Sequence, residues 1–373
     1  LPALKIMVDE DGIYQVTAAD LEALEVPVST TPTTAYKLFL RGREVPIRVL
    51  ELGTDTLESL WFYGEQARTK YTDTNVYWLT YDSAPGVEPG LRMSMIAAPP
   101  SSAVDVSPYY STTLRLEEDH SYRSQLPWTE DSDHWFWDYT WYPDVKLTVT
   151  SHISSLAALP YTALLSASIT GYSSGEHCVQ FLLNGDPSPL GSYEWSDGFR
   201  KYEQLVHIPF DASMLDEGTN ELRVEGCPSD SDRDIAFHDW FELDVRRNYQ
   251  AENDTLTFDV AEAQWQYKLD GFTSSDVEVF DISGTYTVSR LIDFDVTLEG
   301  PPHSVSFYDD AAGQGTHYLA LTRDQIKSPV EIVKDMPSDL ASTANHADYI
   351  IITPQEFFAD VGPLVDHRTD QGL

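Results

Sequence analysis

Hydrophobic and polar positions alternate along most of this chain. Leu4, Ile6 and Val8, then Tyr36, Leu38 and Leu40, then Val45, Ile47 and Val49 place apolar side chains at every second residue. A period of two is the mark of a strand with one face buried. Leu60 to Tyr63 and Asn75 to Thr80 add strands to the same first block. Thr17 opens a short helix over Ala18 to Leu24, with Asp20 at its third position in a capping-box arrangement. Arg41-Gly42-Arg43-Glu44 reads as the turn of a hairpin. A Pro- and Ser-rich stretch at 97–108 closes the block.

A second block, 109–248, predicts strands at Lys146 to Thr150, Tyr161 to Gly171, His177 to Leu183, Glu203 to Ile208, Asn220 to Glu225 and Phe237 to Val245. Their spacing suits a jelly-roll-like β-sandwich. Asn184-Gly185 follows one of them as a strong turn signal. A third block, 249–345, holds short strands at Thr255 to Val260, Gln264 to Leu269, Val277 to Asp281, Tyr286 to Leu291 and Ser304 to Tyr308.

The pattern changes at 346–373. Tyr349-Ile350-Ile351-Ile352 is a continuous apolar run, as in a parallel strand covered on both faces. Thr353 or Pro354 then opens a helix with Phe357, Phe358, Val361, Leu364 and Val365 along one side. A strand followed by a helix reads as the opening of an α/β domain, whose remainder is expected past Leu373. The expected fold is therefore mainly β and multidomain: a sandwich between two β-rich domains, plus that opening.

The composition adds a strong constraint. The 373 residues carry 61 acids against 23 bases, for a net charge of -38. Such a surface repels nucleic acid and anionic lipid. It suits high salt, or a secreted protein that meets millimolar calcium. No run approaches the roughly 20 apolar residues that span a bilayer. The two cysteines, Cys178 and Cys227, fall in strand-like segments of the sandwich. Sequence leaves two readings open, a disulfide or a pair of buried thiols.

Candidate chemistry is sparse. His177 and Cys178 are neighbours, but adjacent strand residues point to opposite faces, which denies the thiol its base. Asp230, Asp232 and Asp234 alternate in a loop and could collect oxygen ligands for calcium, though the helix-loop-helix pattern is missing. Otherwise they are a solvated loop softened by Arg233. Trp135, Trp137 and Trp141 lie in an aromatic cluster at 128–142. Exposed, they would stack on sugar or contact a protein; covered, they would fill a sandwich edge or an interdomain seam. His120, His134, His152, His207, His238 and His303 have no ligand spacing. No metallopeptidase, serine-hydrolase, dinucleotide or phosphate-loop motif appears, so no cofactor beyond calcium is suggested.

Ala347-Asp348-Tyr349-Ile350-Ile351-Ile352-Thr353, with Phe357, Leu364, Arg368 and Gln371-Gly372, resembles the opening of the catalytic domain of gingipain-like cysteine peptidases. Upstream, Gly12 to Thr17, Gly42 to Pro46, Phe62-Tyr63-Gly64, Tyr71 to Leu79 and Val279 to Ser283 resemble the regions that precede such domains in secreted bacterial proteins. The resemblance implies a caspase-like domain using a His and a Cys, neither of which falls on these residues. It implies secretion or a cell-surface location, and a non-catalytic region assisting the folding, latency or targeting of its own C-terminal peptidase domain. The inserted sandwich departs from a simple propeptide. An alternative is a module that binds glycan or a cell-surface protein, without linkage to a peptidase.

Overall fold

The computed structural model describes residues 3–69, 71–81, 88–129, 132–197, 200–227, 234–260, 264–309, 315–336, 339 and 342–372. The molecule is mainly β, with several sheets and little helix. The alternation of Leu4, Ile6 and Val8 is realised in full: these three are buried, while the residues between them are half-buried.

The strand Ala3–Val8 sits inside a five-stranded antiparallel sheet. Its neighbours are Glu331–Lys334 on one side and Asn75–Tyr81 on the other, followed by Tyr36–Leu40 and Arg43–Val45. A three-stranded sheet of Gly12–Thr17, Leu57–Gly64 and Arg48–Glu51 packs against it. Tyr14, Val16, Leu60 and Phe62 of this second sheet face the first. Ile13, Trp61 and Tyr63 point the other way, onto Phe280, Leu319 and Leu321. Successive strand residues point to opposite faces, so one short sheet serves two cores. Thr17 caps the helix Ala18–Ala23 through the expected box with Asp20.

Phe280, Leu319 and Leu321 belong to a sheet ordered Thr255–Val260, Thr316–Thr322, Val277–Asp281, Ser289–Ile292 and Ser94–Ala97. Its other face, with Phe258, Val279 and Tyr318, packs on Tyr267, Phe272 and Phe307 of a three-stranded sheet. The described residues of the first and third blocks thus form four stacked sheets with three cores between them. Two strands cross between the blocks. Ser94–Ala97 pairs in parallel with Ser289–Ile292, and Glu331–Lys334 pairs with Ala3–Val8. One buried acid ties the stack further. Glu278 accepts hydrogen bonds from Arg48 of the first block and from Arg323, and pairs with Arg290.

The second block forms two sheets around one core. The first contains Asp138–Tyr142, Asp234–Arg247, Thr162–Gly171 and Glu203–Asp211, with Tyr110–Glu117 paired to the later half of Asp234–Arg247. The second is ordered Leu147–Ile153, Gly218–Gly226, Gly175–Leu183 and Gly191–Asp197. Leu165, Ala167, Phe241 and Leu243 of one face Val149, Val179, Phe181 and Val224 of the other. Asn184 and Gly185 both take left-handed conformations in the turn after Leu183, which these two residue types tolerate. Cys178 and Cys227 are joined in a disulfide with Cα atoms 5.3 Å apart, which settles the choice the sequence left open.

Residues 347–353 differ from expectation. The run Tyr349-Ile350-Ile351-Ile352 forms no strand, and Ile350 and Ile352 are exposed. A strand needs at least one neighbour to take its backbone hydrogen bonds, and among the described residues none pairs with it. A 3-10 turn covers Gln355–Phe357, and the helix is Gly362–Asp370, later than the pattern predicted. Pro363 lies within its first turn, where a missing N–H costs nothing. Among the described residues no helix is long and apolar enough to cross a membrane.

Candidate functional site

The three tryptophans singled out from sequence do not share a face. Trp135 lies in the two-residue strand Trp135–Phe136, paired with Ser121–Tyr122. It is exposed and tilted against Tyr122 at 5.2 Å. The chain then bends at Trp137, whose N–H donates to the His238 carbonyl. That break rotates Trp137 onto the sandwich core, edge-on to Phe241 at 6.1 Å. Trp141 is half-buried in Asp138–Tyr142, opposite Ile235. Phe136, buried beside Leu126 and Phe237, anchors the whole excursion.

Asp230 and Asp232 lie outside the described residues. Asp234 begins the long strand Asp234–Arg247 and is buried. Its Oδ1 accepts from His177 Nδ1 at 2.5 Å, and its Oδ2 accepts the Cys178 N–H at 2.9 Å. His177 stacks on Trp195 at 4.7 Å. This carboxylate is committed to the interior beside the disulfide. Among the described residues no group of three or more His, Cys, Asp or Glu is disposed to hold a metal ion.

A further acid, marked by no sequence motif, stands at a cavity of the sandwich. Asp239 lines a cavity of about 360 Å³ on the outer face of the five-stranded sandwich sheet. Arg115, Glu117, Asp133, Glu203 and Trp240 line it as well. A register shift creates the site. Ala167 pairs with Phe241 and Ile169 with His238, so Ser168 alone faces both Asp239 and Trp240. Such a bulge bends the strand and re-aims its side chains. Without it, Asp239 would keep phase with Phe241, Leu243 and Val245 and point into the core. An acid at a core-phase position was the one legible sign of this.

The acids around the cavity are unevenly paired. Arg115 donates to Glu117 at 2.8 Å and to Glu242 at 2.7 Å, and its guanidinium lies over Trp240 at 4.3 Å. Ser168 Oγ donates to Glu203 at 2.8 Å and stands 3.5 Å from Asp239 Oδ2. Asp133 accepts the Trp135 N–H. Asp239 Oδ1 finds no hydrogen-bond partner among the described residues, although the residue is only 9% exposed. Burial, joined by the negative charges of Glu117, Asp133 and Glu203 and opposed by Arg115, pushes its carboxyl up to about 7.

Several large apolar side chains between residues 349 and 365 are exposed. Ile350, Ile352, Phe357 and Phe358 are half or more exposed, and Leu364 and Val365 somewhat less. Arg368 lies over the Tyr349 ring at 4.8 Å.

No protein-family model matches the sequence, and no curated protein matches it. Among solved structures, the fold is similar to dimeric latent PorU from Porphyromonas gingivalis, with a TM-score of 0.61 and 15% identity. That likeness covers 89% of this chain and 33% of PorU, so the chain spans about a third of the structure it resembles. At this identity the likeness is one of fold. An isomalto-dextranase of Arthrobacter globiformis matches 65% of this chain and 34% of its own, at 9% identity and a TM-score of 0.21. The infectious bursal disease virus VP2 subviral particle matches 99% and 72%, at 8% identity and 0.22. Scores that low carry no argument.

Proposed function

We propose that this chain is the non-catalytic N-terminal region of a secreted, gingipain-like cysteine peptidase precursor, where it assists the folding, latency or targeting of its own peptidase domain. The observation that carries this reading is the likeness to PorU, a protein described as latent, over 89% of the chain. The exposed apolar side chains at 349–365 support it. These side chains are the ones expected to become the covered strand and helix of the peptidase domain. The disulfide supports an oxidising compartment, hence secretion or a cell-surface location. In this reading the α/β opening completes itself only against the remaining strands, and 109–248 is a jelly-roll-like insert.

The test is to extend the gene product past Leu373. An α/β domain bearing a His and a Cys, with 349–352 protected from hydrogen exchange in the longer protein, is expected. A continuation without such a domain overturns the reading.

A second reading, a glycan- or surface-protein-binding sandwich, is favoured by one observation: Trp135 and Tyr122 present adjoining exposed rings. Trp135→Ala should then abolish glycan capture on an array without changing the melting temperature. An array without hits removes this reading. Calcium at Asp230 and Asp232 stays a proposal, tested by melting in calcium against EDTA at constant ionic strength. Asp234, held by His177 and Cys178, would contribute only by giving up those bonds.

A further inference from the structure

We propose that the cavity at the Asp239 bulge is a binding site for an organic cation, a guanidinium or ammonium group carried on a side chain or small molecule. It is independent of the peptidase reading and of the exposed ring pair.

Among the described residues, four carboxylates line the cavity, from Glu117, Asp133, Glu203 and Asp239, against one guanidinium, that of Arg115. That guanidinium is already shared between Glu117 and Glu242. Asp239 is 9% exposed, and its Oδ1 lacks a partner among the described residues. A buried carboxylate oxygen without a donor costs free energy that a partner would return. The ionised form of Asp239 can only accept, so the partner it lacks is a donor, and the surplus negative charge says that this partner is positive.

Size separates the kinds of cation. Calcium requires six to eight oxygens at roughly 2.3–2.6 Å. Among the described residues no three acids are gathered closely enough to hold an ion, and the space is about 360 Å³. A cation with an organic body fits that space better. Trp240 and Phe136 supply apolar wall for such a body, and Ser168 and Thr170 supply hydroxyls at the floor. A neutral sugar would satisfy hydroxyls and rings but leave the like charges facing one another.

The position is built by the fold. Asp239 and Trp240 share the bulge opposite Ser168, and Glu117 lies directly across from Trp240 on the strand Tyr110–Glu117. Glu203 begins the strand Glu203–Asp211 on the far side. Asp133 comes from the excursion anchored by Phe136. Among the described residues, the charged groups around Asp239 are thus Arg115 and Glu117 from one strand, Glu203 from another, and Asp133 from the excursion. Asp239 shares its proton most readily near neutrality, so a cation should bind more tightly as pH rises and release a proton when it does.

The test is calorimetric titration of the whole 373-residue protein with agmatine, at about 0.15 M salt so that general attraction to the acidic surface is screened. One saturable site is expected, with affinity about tenfold weaker at pH 6 than at pH 8, as a carboxyl titrating near 7 dictates. Asp239→Asn should weaken binding at least tenfold and Glu203→Gln several-fold. Glu58→Gln, on the surface of another sheet, should change nothing. Melting of Asp239→Asn should equal or exceed that of the parent, which shows that the loss of binding is not loss of fold. Absence of saturable agmatine binding overturns the proposal. So does equal binding of N-butylurea, which keeps the planar head and the four-carbon body but carries no charge. Stoichiometric calcium uptake, or capture of a neutral oligosaccharide, sensitive to Asp239→Asn overturns it in favour of a metal or glycan site.

Discussion

Replacing Glu278 by Gln should unfasten the four-layer stack. Glu278 lies on the strand Val277–Asp281, with a side chain 1% exposed. Its Oε1 accepts from Arg48 Nη1 at 3.0 Å and from Arg323 at 2.9 and 3.0 Å, and its Oε2 pairs with Arg290. Arg48 in turn lies over Trp61 at 4.6 Å. Gln keeps the shape but removes the charge and turns one acceptor into a donor facing Arg donors. Breaking a buried ion pair by removing one partner costs about 3–5 kcal/mol. The Arg side chains are 20–45% exposed and regain some hydration, so the lower end applies, about 3 kcal/mol. Urea unfolding followed by Trp fluorescence reads it directly, because Trp61 adjoins the cluster. The pH dependence gives an independent check. Burial pushes the Glu278 carboxyl up, but Arg290 and Arg48 outweigh it, and the net direction is down. Its stabilisation is therefore complete above the ordinary Glu range, near pH 4.3, and fades as pH falls through the lower folded value. Parent and Glu278→Gln should converge in acid. A difference below about 1 kcal/mol at pH 7, or one undiminished in acid, would refute the assignment.

The disulfide spans 49 residues, and the chain-entropy relation puts its contribution at about 4 kcal/mol. Cys178→Ser with Cys227→Ser should melt well below the parent, with no further change on adding reductant. His238 is buried, with Nε2 3.0 Å from Thr140 Oγ1, and burial lowers its pKa to about 3 despite the nearby charge of Asp234. It stays neutral when folded, so stability is fully present above the unfolded value near 6.5 and falls towards pH 3, by up to about 4–5 kcal/mol. Its ring resonances should not titrate above about pH 4, and titration near 6.5 would contradict the burial. Trp137→Ala should destabilise the sandwich by about 2–3 kcal/mol and Trp135→Ala by less than about 1 kcal/mol. Equal losses in chemical denaturation would mean that the bend at Trp137 does not separate the two rings.

The sequence by itself determined the local elements. Period two placed Ala3–Val8, Tyr36–Leu40 and Asn75–Tyr81, because alternation is a property of neighbouring residues. Thr17 and Asp20 set their cap across three residues, and Asn184-Gly185 turned the chain where left-handed dihedrals are cheap. Only the tertiary structure decided who pairs with whom. Ser94–Ala97 and Glu331–Lys334 are too short to announce their partners, and each completes a sheet made by distant chain. Cys178 and Cys227 meet because their strands are neighbours, and Glu278 gathers Arg48 from 230 residues away. The register shift at Ser168 turns Asp239 out of the core, which strict alternation could not foresee. The run Tyr349 to Ile352 shows the converse. Its pattern is that of a buried strand, yet a strand exists only where other segments take its hydrogen bonds and cover its faces, and among the described residues none pairs with it.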